Sequence, residues 1–162
     1  MRIEQLMQKS VASVTTDQTL NEAAQILWER DCGSLPVVSE DGTRRVVGML
    51  TDRDICMAAY TQGKGLRELP VRGVMSSPVR TCRPGDSVED AEAILRRAQV
   101  RRLPVVDEAD QLVGMVSLAD LARAAASCRS QKKPAIDEAE VAETLASICR
   151  PREECAPVAA EI

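Results

Sequence analysis

Residues 7–38 read MQKSVASVTTDQTLNEAAQILWERDCGSLPVV, and residues 75–106 read MSSPVRTCRPGDSVEDAEAILRRAQVRRLPVV. At a constant offset of 68 the two stretches place Met7 on Met75, Val11 on Val79, Ala23 on Ala91 and Ile26-Leu27 on Ile94-Leu95 without a gap. The same offset lays Leu35-Pro36-Val37-Val38 on Leu103-Pro104-Val105-Val106. Beyond that point the offset falls to 66, because the first copy carries a longer turn around Asp41-Gly42. Val47-Gly48-Met49 then meets Val113-Gly114-Met115, and Asp54 meets Asp120. A length change costs least in a turn. The period exceeds the roughly 20–50 residues of solenoid units, so the chain is a tandem domain duplication: copy one over 1–70, copy two over 71–128 and a tail over 129–162. Two similar halves invite a cleft on a pseudo-twofold axis.

Within each copy the local signals run in the same order. Thr19-Leu20-Asn21-Glu22 and Ser87-Val88-Glu89-Asp90 have the form of capping boxes, and each leads apolar residues at helical spacing: Leu20, Ala23, Leu27 and Val88, Ala91, Leu95. A short strand is expected before each helix. Next comes a strand opened by proline, Pro36-Val37-Val38 or Pro104-Val105-Val106, where the first amide can go unpaired. Apolar runs at 46–50 and 112–116 complete hairpins, and a second helix starts at Thr51 or Ser117. Each unit reads β-α-β-β-α.

Candidate chemistry sits where the third strand passes into the second helix. Gly48-Met49-Leu50-Thr51-Asp52-Arg53-Asp54 and Gly114-Met115-Val116-Ser117-Leu118-Ala119-Asp120 share the pattern G-M-h-[ST]-x-x-D. A hydroxyl at a helix N-terminus stands beside unpaired backbone N–H groups and the positive end of the helix dipole, which suits a phosphate. An aspartate one turn on can accept hydrogen bonds from a vicinal diol such as ribose. Either copy alone is an ordinary helix cap worth roughly 1 kcal/mol. Its recurrence at equivalent positions, each time behind a glycine that admits close approach to the backbone, favours a nucleotide sugar-phosphate, and capping and binding can coexist.

Composition narrows the alternatives. With 162 residues and 44% hydrophobic content the chain can bury a core. There is no apolar run of 18 residues and no signal-peptide pattern, so the expectation is a cytoplasmic protein without a membrane. Cys32, Cys56, Cys82, Cys128, Cys149 and Cys155 show no close CxxC pairing, which favours reduced thiols. With no histidine at all, zinc and other metal sites are poorly provided for, and so is general base catalysis at neutral pH. Enzymatic activity is therefore not expected. Residues 137–162 carry seven acids against Arg150 and Arg152, leaving the duplicated body nearly neutral within a net charge of −4. Duplex nucleic acid needs a basic field and single strands need stacking platforms; the only aromatics are Trp28 and Tyr60.

The paired units, with LPVV on the second strand and G-M-h-[ST]-x-x-D at the last helix, resemble a pair of CBS domains, the arrangement called a Bateman module, over residues 1 to about 126. The resemblance implies an α+β fold (α/β-type CBS fold): two β-α-β-β-α repeats packed with pseudo-twofold symmetry, here with a C-terminal helix. It also implies a regulatory module binding AMP, ADP or ATP, and in some members NAD or S-adenosylmethionine, in two clefts that mix residues of both copies. One cleft would use Asp120 for ribose, Ser117 for phosphate and Met115 against the base. Ala12, Cys32 and Gly33 would come from copy one, with Arg101 and Arg102 as ligand-facing arginines. The other would join Met49, Thr51, Arg53 and Asp54 to Arg80, Val100 and Arg101. Gly33-Ser34 stand where copy two has Arg101-Arg102, and Arg53 where it has Ala119, so the sites are unequal. A purine can lie between aliphatic side chains such as Val11, Met115 and Val100.

In the tail, 129–134 reads as a linker and 137–149 as a helix with Val141, Leu145 and Ile148 on one stripe, ended by Pro151. Packing on its own module, clasping a dimer mate and docking a partner are all open to that stripe. The expectation is a stand-alone homodimeric sensor of an adenine nucleotide, with AMP or ATP ahead of NAD, acting in trans on a protein target. The alternative is a structural or interaction module whose clefts no longer bind ligand and which works through dimerisation and the tail.

Overall fold

The computed structural model describes residues 1–128 and 136–151, so the 129–134 linker and the end of the acidic tail lie outside the described residues. Copy one consists of β1 (Val14–Thr15), α1 (Leu20–Glu29), β2 (Ser34–Val38), β3 (Val46–Thr51) and α2 (Asp52–Gln62). Copy two consists of α3 (Val88–Ala98), β4 (Arg102–Val106), β5 (Leu112–Ser117) and α4 (Leu118–Cys128), followed by α5 (Glu138–Ile148). The sheet order is β1-β2-β3 in the first and β4-β5 in the second. Copy two's expected leading strand shrinks to one parallel bridge, Cys82 with Val105, where Cys82 N donates to Pro104 O at 3.1 Å and Val106 N to Cys82 O at 2.9 Å.

Hairpin register repeats residue for residue. Ser34 faces Thr51 and Leu35 faces Leu50 in copy one, as Arg102 faces Ser117 and Leu103 faces Val116 in copy two, with an irregularity after Val37 and after Val105. The prolines do not open their strands, as the sequence had suggested; each is the third residue. Pro36 lies opposite Met49, whose N–H and C=O are both bonded to Ser76 (3.1 and 2.8 Å) and not to β2. The missing proline N–H therefore falls on the other edge of β2, where β1 pairs only from Val37 onward. Both helix-start signals are realised: Thr19 Oγ1 accepts from Glu22 N at 3.3 Å and Ser87 Oγ from Asp90 N at 3.1 Å.

Leading segments cross between the copies. Ile3, fully buried, packs in the core of copy two with Val88, Leu95, Leu103 and Leu121, whereas Leu69 and Val71 pack in the core of copy one with Leu20, Leu35 and Leu50. The anchoring hydrogen bonds are equivalent at offset 68: Ile3 N to Asp86 O (3.0 Å) and Val88 N to Met1 O (3.1 Å), against Val71 N to Gln18 O (2.8 Å) and Leu20 N to Leu69 O (2.8 Å). Each fully buried leucine or isoleucine contributes about 2 kcal/mol, so each crossed segment is a structural member of the copy it visits. The exchange also accounts for the glycines before the candidate sites. A Cβ on Gly48 would stand 2.7 Å from Met75 Sδ, and one on Gly114 2.8 Å from Met7 Sδ.

A pseudo-twofold axis passes through the hairpin ends. Arg45 bridges its equivalent Gln111, with Val46 N donating to Asp110 O and Leu112 N to Arg44 O, both at 3.0 Å.

α5 is capped by Asp137 and packs on α3 and α4, its own module. The buried stripe is Val141, Thr144 and Ile148, with Leu145 left 46% exposed where the sequence pattern had put it inside. The substitution follows from α3, which presents a buried carboxylate, Glu92, to α5. Thr144 Oγ1 donates to Glu92 Oε1 at 3.5 Å and accepts from Arg96 Nη1 at 3.3 Å, and a leucine there would leave both without that hydroxyl. Among the described residues no helix is long and apolar enough to cross a membrane.

Candidate ligand-binding cleft

Ser117 ends β5 and caps α4, and the cap fixes Asp120. Asp120 N donates to Ser117 Oγ at 3.2 Å, and Asp120 Oδ2 accepts from Ser117 N at 2.8 Å and from its hydroxyl at 2.5 Å. Thr51 and Asp54 repeat the arrangement at 3.1, 2.9 and 2.7 Å. The two G-M-h-[ST]-x-x-D motifs are thus helix caps in the first instance, and what separates them is their surroundings.

Around Asp120 lies a cavity of about 590 Å³ between the copies. Ala12, Cys32, Arg102, Met115, Ser117 and Asp120, drawn from both copies, all line it. Arg102 is oriented across the pseudo-dyad, its Nη1 donating at 3.0 Å to Oγ of Ser34, its own counterpart. The remaining two residues of the expected set sit at its margin: Gly33 stands between the lining residues Cys32 and Ser34 with its Cβ position 3.6 Å from Arg102 Nη1, and Arg101 shares a neighbouring groove, between α4 and α5, with Arg102 and Ser117. Gly33 also borders a cavity on the copy-one helices with Trp28, Asp52 and Cys56.

Apart from Arg101, the expected second set lines none of these three cavities. Met49 is held against Ser76, Thr51 and Asp54 form their cap, Val100 N bonds Leu95 O at 3.2 Å, and the side chains of Arg53, Arg80 and Arg101 are exposed. Part of the asymmetry is in the sequence: the residue equivalent to Ala12, which lines the Asp120 cavity, is Arg80.

Several lining residues were not singled out from the sequence. Gln8 arrives on the crossed leading segment, its backbone paired with Met115 in both directions at 2.9 Å, and its Nε2 donates to Asp120 Oδ1 at 3.4 Å. Arg123, one turn beyond Asp120, donates to the same oxygen. Arg30 and Asp31 close the side at the end of α1, where Asp31 has a left-handed φ of 47°. The sequence signal for Gln8 was its place beside the repeated Met7, and for Arg123 its i+3 spacing from Asp120. Three arginines (Arg30, Arg102, Arg123) oppose two aspartates in the lining, so the cleft suits an anion with a polar, hydroxylated portion.

A family model for the CBS domain matches residues 3–60 and 71–127. The chain belongs to the CBS-domain family. Its two CBS domains are 42% identical over 120 residues to CBS domain-containing protein YhcV of Bacillus subtilis, covering 74% of this chain and 82% of that one. The CBS pair also superposes on CBS domain protein PAE2072 from Pyrobaculum aerophilum complexed with AMP, at a TM-score of 0.70 and 25% identity, over 90% of this chain and 99% of that chain. Against the CBS domain pair of protein MJ0100 in complex with 5′-methylthioadenosine and S-adenosyl-L-methionine the TM-score is 0.67 and the identity 26%, over 76% and 98% of the two chains. The mixed α+β architecture is that of the CBS pairs.

Proposed function

We propose that this CBS pair is a regulatory module that binds an adenine nucleotide, AMP or ATP ahead of NAD, in the Asp120 cleft and relays occupancy to a protein target in trans. The observation that carries the reading is convergence: residues from 8 to 123 in the sequence meet in one cavity of about 590 Å³, a size suited to a nucleotide. At its centre a capped helix N-terminus and a buried aspartate offer a phosphate seat and a diol acceptor. The complexes of PAE2072 with AMP and of MJ0100 with adenosine-containing ligands support the same ligand class. Relay requires that ligand bind one arrangement of the copies better than another; the crossed segment bearing Gln8 ties the cleft to the core of copy two.

Isothermal titration with AMP, ATP, NAD and S-adenosylmethionine tests the reading. At least one should bind with Kd below about 1 mM, Asp120→Ala should remove that binding, and Asp54→Ala should leave it. No binding by any of the four, or binding indifferent to Asp120→Ala, overturns the assignment.

A second reading, an interaction module acting through dimerisation, is favoured by one feature. Trp28 and Tyr60, the only aromatics, stand 87% and 82% exposed on the copy-one helices, while the equivalent face of copy two is covered by α5. Pairing through that face is compatible with a ligand sensor; the second reading differs in that its clefts no longer bind ligand. Sedimentation of wild type beside Trp28→Ser/Tyr60→Ser would show a dimer dissociating in the variant if that face pairs two copies.

A further inference from the structure

The two carboxylate oxygens of Asp120 are both fully engaged. Oδ2 takes the N–H and the hydroxyl of Ser117 at 2.8 and 2.5 Å. Oδ1 takes Gln8 Nε2 at 3.4 Å and the Arg123 guanidinium. An oxygen of a carboxylate has about two acceptor sites, so a ribose diol reaching Asp120 must displace a donor. The Ser117 bonds belong to the cap of α4. Gln8 is a neutral donor at 3.4 Å, and its main chain is held to Met115 by two backbone bonds, so its amide stays beside the cleft whether or not it yields Oδ1. Arg123 is the free agent: its side chain is 65% exposed, and it is joined to the cleft through Asp120.

We propose that Arg123 is the specificity residue of this cleft, guarding the ribose-binding carboxylate when the cleft is empty and turning to the ligand phosphate when it is filled. The inference rests on the adenosine reading above. A diol that takes Oδ1 removes the guanidinium's direct carboxylate contact, in a cavity where Arg30, Arg102 and Arg123 outnumber Asp31 and Asp120. A phosphate restores the lost partner with charge-assisted hydrogen bonds. A bare nucleoside does not, and so competes with Arg123 for Asp120 without compensation. The cleft should therefore favour phosphorylated adenosine over adenosine itself. In copy one the equivalent residue is Met57, which has no donor to guard Asp54.

The test is calorimetric titration of adenosine and AMP into wild type, Arg123→Met and Arg123→Lys, with melting curves confirming that all three are folded. Wild type is expected to prefer AMP by about tenfold or more. Arg123→Met should tighten adenosine, weaken AMP and lower the preference by about tenfold, and Arg123→Lys should retain most of it. A preference unchanged within about twofold in Arg123→Met, or an equal loss of both ligands, overturns the role of Arg123 while leaving the adenosine reading intact. Failure of wild type to bind either ligand overturns the role of Arg123, and the adenosine reading falls with it only if ATP, NAD and S-adenosylmethionine also fail to bind.

Discussion

Replacing Gly114 with alanine probes the crossed packing at its tightest point. An alanine Cβ would stand 2.8 Å from Met7 Sδ, 3.0 Å from the Gln8 carbonyl oxygen and 3.2 Å from Met7 Cγ. The thioether can rotate away. The carbonyl is fixed, because it accepts from Met115 N at 2.9 Å while Gln8 N donates to Met115 O at 2.9 Å. Relief thus requires the leading segment to lift off β5. Losing that reciprocal pair costs about 1 kcal/mol per hydrogen bond, and residual overpacking adds about 1 kcal/mol. The reduced chain entropy of alanine in the unfolded state returns about 0.5–1 kcal/mol. Gly114 is not among the positive-φ residues, so alanine meets no backbone penalty of its own. The expected net loss is about 2 kcal/mol, read as a fall in the urea unfolding midpoint with unchanged slope. Gly73→Ala is the control: nothing lies within 4 Å of its Cβ position, and it should stay within about 0.5 kcal/mol of wild type. Gly114→Ala should also weaken nucleotide binding, since Gln8 reaches Asp120 from the displaced segment. Equal midpoints for the two variants would refute the account of this glycine.

The buried Cys82 thiol is pushed up to about 12 by desolvation, with Asp86 adding to it. At pH about 8 it should resist iodoacetamide in the folded protein and react only on unfolding, while exposed Cys56 and Cys149 react at once, as peptide mapping would show. Native labelling of Cys82 at the rate of Cys56 would contradict this burial. Glu92 beneath α5 is raised above the ordinary glutamate value by burial, opposed by Arg96 and reinforced by Glu140 and Glu89. A carboxyl raised in the fold contributes its relative stability below the unfolded pKa and loses it as pH climbs through the folded value. The stability of Glu92→Gln relative to wild type should therefore rise between pH about 4 and 8; a difference that stays constant across that range would refute the shift.

The repeat, the order of elements and the positions of both caps were legible because each is a short-range property. A capping box spans four residues, a strand periodicity spans a few more, and duplication makes each copy a check on the other. Asp120, Ser117, Met115 and Arg102 could be placed in one cleft from the resemblance. Gln8 and Arg123 could not, because their importance comes from which oxygen of Asp120 they reach. Leu145 misled for a related reason: the helical stripe was correct to within one residue, but the choice between Thr144 and Leu145 was made by Glu92 on another helix.

Sequence alone determined that there are two CBS-type units and which carboxylates sit at the helix starts, since local hydrogen bonding and apolar spacing suffice for that. Tertiary structure decided which unit each leading segment belongs to and that the Asp120 end, not its twin, borders the described inter-copy cavity. Those outcomes depend on contacts between residues far apart in the chain, such as Ile3 in the core of copy two and Arg102 against Ser34. A duplicated sequence offers each such contact two equivalent partners. Only packing selects between them, as when the Sδ of Met7 meets Gly114 rather than Gly48.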